Sequence, residues 1–123
     1  NIKKKFVNVI YNDINDNSIS KDIDEYYYDI AKLLDTISNE NPNANIYYFG
    51  IENRVNNPKN KTCELVTAKI KDEYGKTNEK FTYIDSPSVF NANQDKYISS
   101  DGVHPSRAGY EYYIETLNNL IEY

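Results

Sequence analysis

The chain has 123 residues, a formal net charge of −5 and 39% hydrophobic residues, a composition that suits one folded domain with a modest core. The acidic balance argues against a nucleic-acid partner, because such a partner selects for a basic surface. No apolar run approaches the roughly 18 residues that a transmembrane helix needs. The single cysteine, Cys63, cannot form an internal disulfide, and its place in a helical pattern indicates a small core or boundary residue.

The first half of the chain alternates between strand and helix patterns. The β-branched and aromatic run 6–11 predicts a strand, and residues 46–49 predict a second one. Between them, a helix is expected from about Lys21 until Asn41-Pro42 stops it. Apolar residues recur there at the spacing of one helix face: Ile23, Tyr27, Ile30, Leu34 and Ile37.

The second half continues the alternation. A helix is expected over 61–74 with Gly75 as its C-terminal stop, then a strand over 81–84 and a long loop over 85–105. The last helix is expected over 106–121. Its predicted core face consists of Tyr110, Tyr113, Ile114, Leu117, Leu120 and Ile121.

This order of elements predicts an α/β fold with a parallel sheet, in a single domain over residues 1–123. A parallel sheet needs helices on both faces, and three strands make a thin sheet for this class. The chain also contains no methionine and begins with Asn1. We therefore expect further strands upstream of the sequence given.

Polar residues follow the predicted strands where α/β proteins bind their ligands. His104 is the only histidine, which excludes a multi-histidine zinc site, and no metal is expected. Asp101 lies three residues earlier, and a tight turn at Gly102 would let its carboxylate reach the imidazole. Such a contact fixes the histidine tautomer for proton transfer. The alternative is an ordinary turn in which His104 only neighbours a helix start.

A family resemblance begins at these residues. The block Asp101-Gly102-Val103-His104-Pro105-Ser106, followed by Ala108-Gly109-Tyr110, resembles the last conserved block of the SGNH (GDSL-like) hydrolases. The resemblance implies a serine esterase in which Asp101 and His104 are the acid and base of a catalytic triad. It also implies a three-layer α/β/α, flavodoxin-like SGNH hydrolase fold, here incomplete at its N-terminus.

A second block supports the resemblance. Asp13-Ile14-Asn15-Asp16 is similar to the family's Gly-x-Asn-Asp block, with Asp13 in place of the glycine. The resemblance implies that Asn15 donates to the oxyanion, a role for which a side-chain amide is suited. Asn12-Asp13 is also an Asn-Asp pair, so Asn12 stays open as the alternative, as does an asparagine-rich turn without a catalytic role.

The family nucleophile is missing from the sequence. No Gly-Asp-Ser block occurs, and no serine follows a strand in a small-residue turn. The serines present are Ser18, Ser20, Ser38, Ser86, Ser88, Ser99, Ser100 and Ser106. We interpret Ser99 and Ser100 as loop residues. The nucleophile is therefore unknown, and we expect it on an upstream or associated N-terminal segment of the same protein, so that this chain alone is inactive.

The resemblance implies hydrolysis of short acyl esters, including O-acetyl groups on carbohydrate, without a cofactor. It favours a secreted or cell-surface protein over a cytoplasmic one. A catalytically inactive SGNH-like binding or scaffold domain is the alternative. A flavodoxin-like nucleotide or phosphate binder also fits the alternation, but the chain has only four glycines and no glycine-rich phosphate loop.

Overall fold

The structure, a computed structural model, describes the backbone of residues 4–8 and the whole of residues 23–120. Three parallel strands form one sheet in the order β1-β2-β3, and they are β1 (Lys4–Asn8), β2 (Asn45–Phe49) and β3 (Phe81–Ile84). The strands predicted at 46–49 and 81–84 are thus confirmed. β1 begins two residues before the predicted strand, and residues 9–11 of that prediction lie outside the described part.

Helices separate the strands, because two parallel neighbours can be joined only by a crossover connection. They are α1 (Ile23–Glu40), α2 (Asn60–Lys69), α3 (Ser86–Ala92), α4 (Gln94–Tyr97) and α5 (Arg107–Leu120). α2 runs on into a π-helical segment (Ile70–Tyr74) and a final turn (Gly75–Thr77). Gly75 has a right-handed helical φ of −57°, so the prediction that it stops this helix was wrong.

One face of the sheet packs against α1 and α2. Ile46 and Tyr48 alternate toward this face of β2 and are completely buried. From α1, Ile30 and Leu34 of the predicted face are buried together with Tyr26, while Ile23, Tyr27 and Ile37 pack at the margin. The remaining core residues of this layer come from the β2 exit, α2 and the π-helical segment: Ile51, Cys63, Val66, Ile70 and Tyr74.

The opposite face of the sheet is covered by α5 with α3 and α4. Phe49 of β2 meets Tyr113 of α5 edge to face, with ring centroids 5.1 Å apart. Phe90 of α3 is fully buried and stacks on Tyr97 of α4 at 5.2 Å. Aromatic contacts of this kind add to the free energy that burial itself provides. The fold is therefore the predicted three-layer α/β/α arrangement.

Two predictions about the C-terminal part were wrong. The segment 85–105, expected to be a loop, contains α3 and α4. The start of α3 is stabilised by the Asp85 carboxylate, which accepts a hydrogen bond from the Ser88 N–H, and by Pro87 in the first turn. In α5 the expected core residues Tyr110 and Ile114 are 52% and 57% exposed. Tyr113 of the predicted face does pack toward α3, but Gly109 and Tyr112, which the prediction missed, also turn toward α3 and α4. Ile121 lies outside the described residues.

Candidate active site

The turn between α4 and α5 is closed at its base by backbone hydrogen bonds. Ile98 and Pro105 form an isolated antiparallel bridge, and the Ser99 N–H donates to the His104 carbonyl at 2.8 Å. Within the turn, the Gly102 N–H donates to the Ser99 carbonyl at 3.0 Å, and Gly102 has a φ of +74°. A side chain is rarely tolerated at such a φ, which explains the glycine here. The turn therefore holds residues 99–104 in one compact loop.

The Asp101 carboxylate lies at the centre of this loop. Its Oδ2 is 2.6 Å from His104 Nδ1, so the contact expected from the sequence is present. Its Oδ1 accepts hydrogen bonds from the Ser99 hydroxyl at 2.6 Å and from the backbone N–H groups of Val103 and His104 at 2.8 and 2.9 Å. Charge-assisted hydrogen bonds stabilise the ionised carboxylate. The Ser99 hydroxyl, followed by His104, holds the pKa of Asp101 well below its usual range.

The protonation state of Asp101 determines the tautomer of His104. An ionised carboxylate only accepts hydrogen bonds, so the proton of a neutral imidazole must sit on Nδ1. The lone pair is then on Nε2, the nitrogen that a general base uses. The His104 side chain is 63% exposed, which leaves the ring accessible. The pair thus has the geometry of an oriented base, although its catalytic role stays a prediction.

The depressed pKa of Asp101 predicts a pH-dependent contribution to stability. The folded-state value lies below the ordinary value of about 3.9, so the unfolded chain takes up the proton first as the pH falls. The contribution of Asp101 to the free energy of unfolding should be complete at pH values above its ordinary pKa. It should be lost as the pH falls toward the pKa of the folded state. In urea unfolding from neutral pH to about pH 2, the free-energy difference between wild type and Asp101→Asn should shrink below about pH 4.

Ser99→Ala is the companion variant, because it removes the largest cause of the pKa shift and keeps the carboxylate. With a smaller pKa shift, the stability contributed by the Asp101 carboxylate should change over a narrower pH interval in Ser99→Ala than in the wild type. A free-energy difference that is independent of pH would mean that the hydrogen bonds to Asp101 are not formed in solution.

The other residues considered for the site lie partly inside and partly outside the described residues. Asn15 and its alternative Asn12 lie outside the described residues, as do Ser18 and Ser20. Ser99 was interpreted as a loop residue, and it is one, but its hydroxyl also donates to the catalytic acid candidate Asp101. The Ser106 hydroxyl donates to the Lys96 carbonyl and accepts from the Gly109 N–H. No side chain in the described part is hydrogen-bonded to His104 Nε2.

Two contacts that the sequence did not reveal connect the turn to the exit of β2. The Val55 N–H donates to the Gly102 carbonyl at 3.0 Å, which fastens the loop after β2 to the turn. Glu52, from the same loop, accepts a hydrogen bond from the Tyr113 hydroxyl of α5. Burial raises the pKa of Glu52, and the bond from Tyr113 only partly opposes this. The helix that follows His104 is therefore attached to the carboxyl end of the central strand.

Neither a metal cluster nor a reactive thiol is found among residues 23–120. No group of three or more His, Cys, Asp or Glu side chains is close enough there to hold a metal ion. Cys63 is fully buried, as predicted, and burial raises the pKa of its thiol to about 11, so it is not a reactive nucleophile. Across the described chain, every helix is too short or too polar to cross a bilayer.

Comparison with known proteins identifies the family. The model of the GDSL-like lipase/acylhydrolase family matches residues 4–117, which is nearly the whole chain and includes the Asp101–His104 turn. A search of the curated proteins found no match. The match accords with the parallel α/β sheet. The chain belongs to the GDSL-like lipase/acylhydrolase family.

Proposed function

We propose that the chain supplies the base and the acid of a serine esterase that cleaves short acyl esters, among them O-acetyl groups on carbohydrate. The observation that carries the proposal is the 2.6 Å contact between Asp101 Oδ2 and His104 Nδ1, in a turn that is closed by its own backbone. The family supports ester hydrolysis as the reaction class. The acyl group is our inference from the family resemblance, and the complete triad is our inference from the resemblance together with the Asp101–His104 contact.

The proposed reaction uses His104 in both half-reactions. A serine hydroxyl attacks the ester carbonyl and gives its proton to His104 Nε2, while Asp101 stabilises the imidazolium that forms. The tetrahedral intermediate then expels the alcohol, which takes the proton from His104. Water attacks the acyl-enzyme in the same way, with His104 as base, and releases the carboxylic acid and the free serine. No step requires a cofactor.

The oxyanion and the nucleophile are the two parts of this mechanism that the described residues do not provide. We assign the oxyanion contact to Asn15, with Asn12 as the alternative, because a strand-end amide can donate to the developing charge. One such donor is worth about 10²–10³ in rate. We assign the nucleophile to a serine outside these 123 residues, on a segment that associates with the chain, since the sequence contains no Gly-Asp-Ser block.

Fluorophosphonate labelling, read by intact mass, tests this assignment. A nucleophilic serine displaces fluoride and adds one phosphonyl group. The 123-residue chain should remain unlabelled, whereas the polypeptide extended upstream to its Gly-Asp-Ser segment should gain one adduct. His104→Ala should abolish that adduct, because the serine then lacks its base. Labelling of the 123-residue chain itself would show that the nucleophile lies within it.

A second candidate function is a binding or scaffold domain of the same fold without catalysis. The missing Gly-Asp-Ser block is the observation in its favour. The intact acid–base pair speaks against it, because a domain without a nucleophile has no use for an oriented base. Absence of labelling in both the short and the extended polypeptide would favour this function.

As the family resemblance implies, we place the protein outside the cell or at its surface.

A further inference from the structure

An open, shallow polar cavity of about 590 Å³ lies at the exit of β2. Six of the eight residues that line it carry side-chain amides; they are Asn53, Asn56, Asn57, Asn60, Asn91 and Gln94. Arg54 and Pro58 complete the lining, so one charged side chain contributes and no aromatic one does. Amides both donate and accept hydrogen bonds, which suits a ligand that carries many hydroxyl groups rather than an acyl chain.

The walls of the cavity are held by the amides themselves. The Asn60 side chain accepts from the Arg54 N–H at 3.0 Å and donates to the Arg54 carbonyl at 2.6 Å. Across the cavity, Asn91 Oδ1 accepts from the Asn53 N–H at 3.0 Å, and Gln94 Nε2 donates to the Asn53 carbonyl at 3.3 Å. These bonds join the loop after β2 to α3 and α4. The site is therefore built before a ligand arrives, which lowers the cost of binding.

Hydrogen-bonding capacity remains after these wall contacts. Asn53 Nδ2 donates to Glu64, but Asn53 Oδ1 is buried and has no hydrogen-bond partner among the described residues. A buried acceptor without a donor is costly, and this oxygen is closed to solvent, so it belongs to the wall and not to the ligand-binding surface. Asn91 uses its oxygen and Gln94 its nitrogen for the wall, so within the described part the other polar atom of each amide is available.

The cavity and the candidate active site share structure. Val55 lies between the lining residues Arg54 and Asn56, and its N–H is the donor to the Gly102 carbonyl. On the other side, α4 carries Gln94 and leads through Ile98 directly into the turn of Asp101 and His104. A ligand held among the amides is thus bound by the two chain segments that also hold the base.

We propose that this cavity binds the carbohydrate part of the ester, that is, the polyhydroxylated alcohol that leaves when the acyl group is transferred. The inference rests on the proposed ester hydrolysis and extends it, because it locates the alcohol at the β2 exit and names its chemistry. Hydroxyl groups would pair with the polar atoms of Asn91 and Gln94 that the wall does not use, Nδ2 and Oε1.

The test measures binding without turnover. Saturation-transfer NMR on the folded 123-residue chain would screen neutral oligosaccharides of gluco, galacto, manno, xylo and N-acetylglucosamine type, and titration would give Kd for those that bind. Two variants remove amides, one of which also forms the wall bond to the Asn53 carbonyl. Gln94→Ala shortens a wall residue, and Asn56→Gly suits the positive φ of 51° at that position. Asn118→Ala, on an exposed position of α5, is the matched control.

We expect at least one oligosaccharide to bind. The double variant Gln94→Ala/Asn56→Gly should raise its Kd about tenfold, which corresponds to a loss of about 1.4 kcal/mol in binding free energy. Asn118→Ala should leave the Kd unchanged. Failure of the whole panel to bind the folded chain would overturn the proposal, as would binding that the two variants leave unchanged. Because no ester is cleaved in this test, its outcome is independent of fluorophosphonate labelling. Carbohydrate binding by the chain, together with an extended polypeptide that gains no fluorophosphonate adduct, would support the cavity and contradict the proposed ester hydrolysis.

Discussion

His104→Ala is expected to abolish ester hydrolysis by the extended polypeptide, the one proposed above to carry the nucleophilic serine. The imidazole is the only histidine of the chain, and its Nδ1 is occupied by Asp101, so no second base of this kind is available within it. Loss of a triad member lowers kcat by about 10⁴ or more in enzymes of this mechanism. Initial rates on an aryl acetate, measured with wild type and variant, would give the ratio.

Asp101→Asn should cost almost as much, because an amide at this position can donate to Nδ1 and so favour the tautomer with its proton on Nε2. Ser100→Ala is the matched control in the same turn, since Ser100 is exposed and is not used by the pair. It should retain the wild-type rate. If His104→Ala kept an appreciable fraction of that rate, the base would have to be another group.

Gly109→Ala is expected to lower the free energy of unfolding by about 1–3 kcal/mol, the range for overpacking a filled interior. A Cβ at this position would lie 2.5 Å from the Tyr97 carbonyl oxygen and 2.9 Å from Pro105 Cβ. Both neighbours belong to segments that close the turn, so α5 would have to move away from α4. The loss should appear although alanine favours a helix by up to about 1 kcal/mol over glycine.

Gly75→Ala is the matched control for this substitution. Gly75 is also helical, but a Cβ there would meet only the ring of Phe81, at 3.7 Å, which is ordinary contact. This variant should therefore be neutral or slightly more stable in urea or guanidinium unfolding. A Gly109→Ala protein as stable as Gly75→Ala would contradict the close approach of α5 to the Tyr97 carbonyl.

The regular elements were predictable because their patterns are long or strong. The helix over 23–40 shows its core face in the spacing of Ile30 and Leu34, and the strand over 46–49 is a short aromatic and β-branched run between turn residues. α3 and α4 were missed since seven and four residues are too few for a periodicity. Their starts depend on local capping and on packing around Phe90, which a sequence does not display.

The face of α5 was misjudged for a different reason. Tyr110, Tyr112 and Tyr113 have the same amphipathic side chain, so hydrophobic spacing does not distinguish the buried from the exposed ones. Gly109 decides the orientation, because only its lack of a side chain lets α5 approach Tyr97.

In the site, the Asp101–His104 contact followed from three-residue spacing and a glycine turn. The amide-lined cavity could not be predicted from the sequence, because its walls come from segments far apart in the chain.

The closeness of Asp101 and His104 along the chain has a consequence for how the site assembles. Bringing two groups together costs chain entropy that grows with the length of the loop between them, and here the loop is a single turn. Its hydrogen bonds from Ser99, Val103 and His104 are all within a few residues. The base can therefore become oriented early in folding, as soon as this turn closes, whereas the groups that complete the site must wait for the sheet to form.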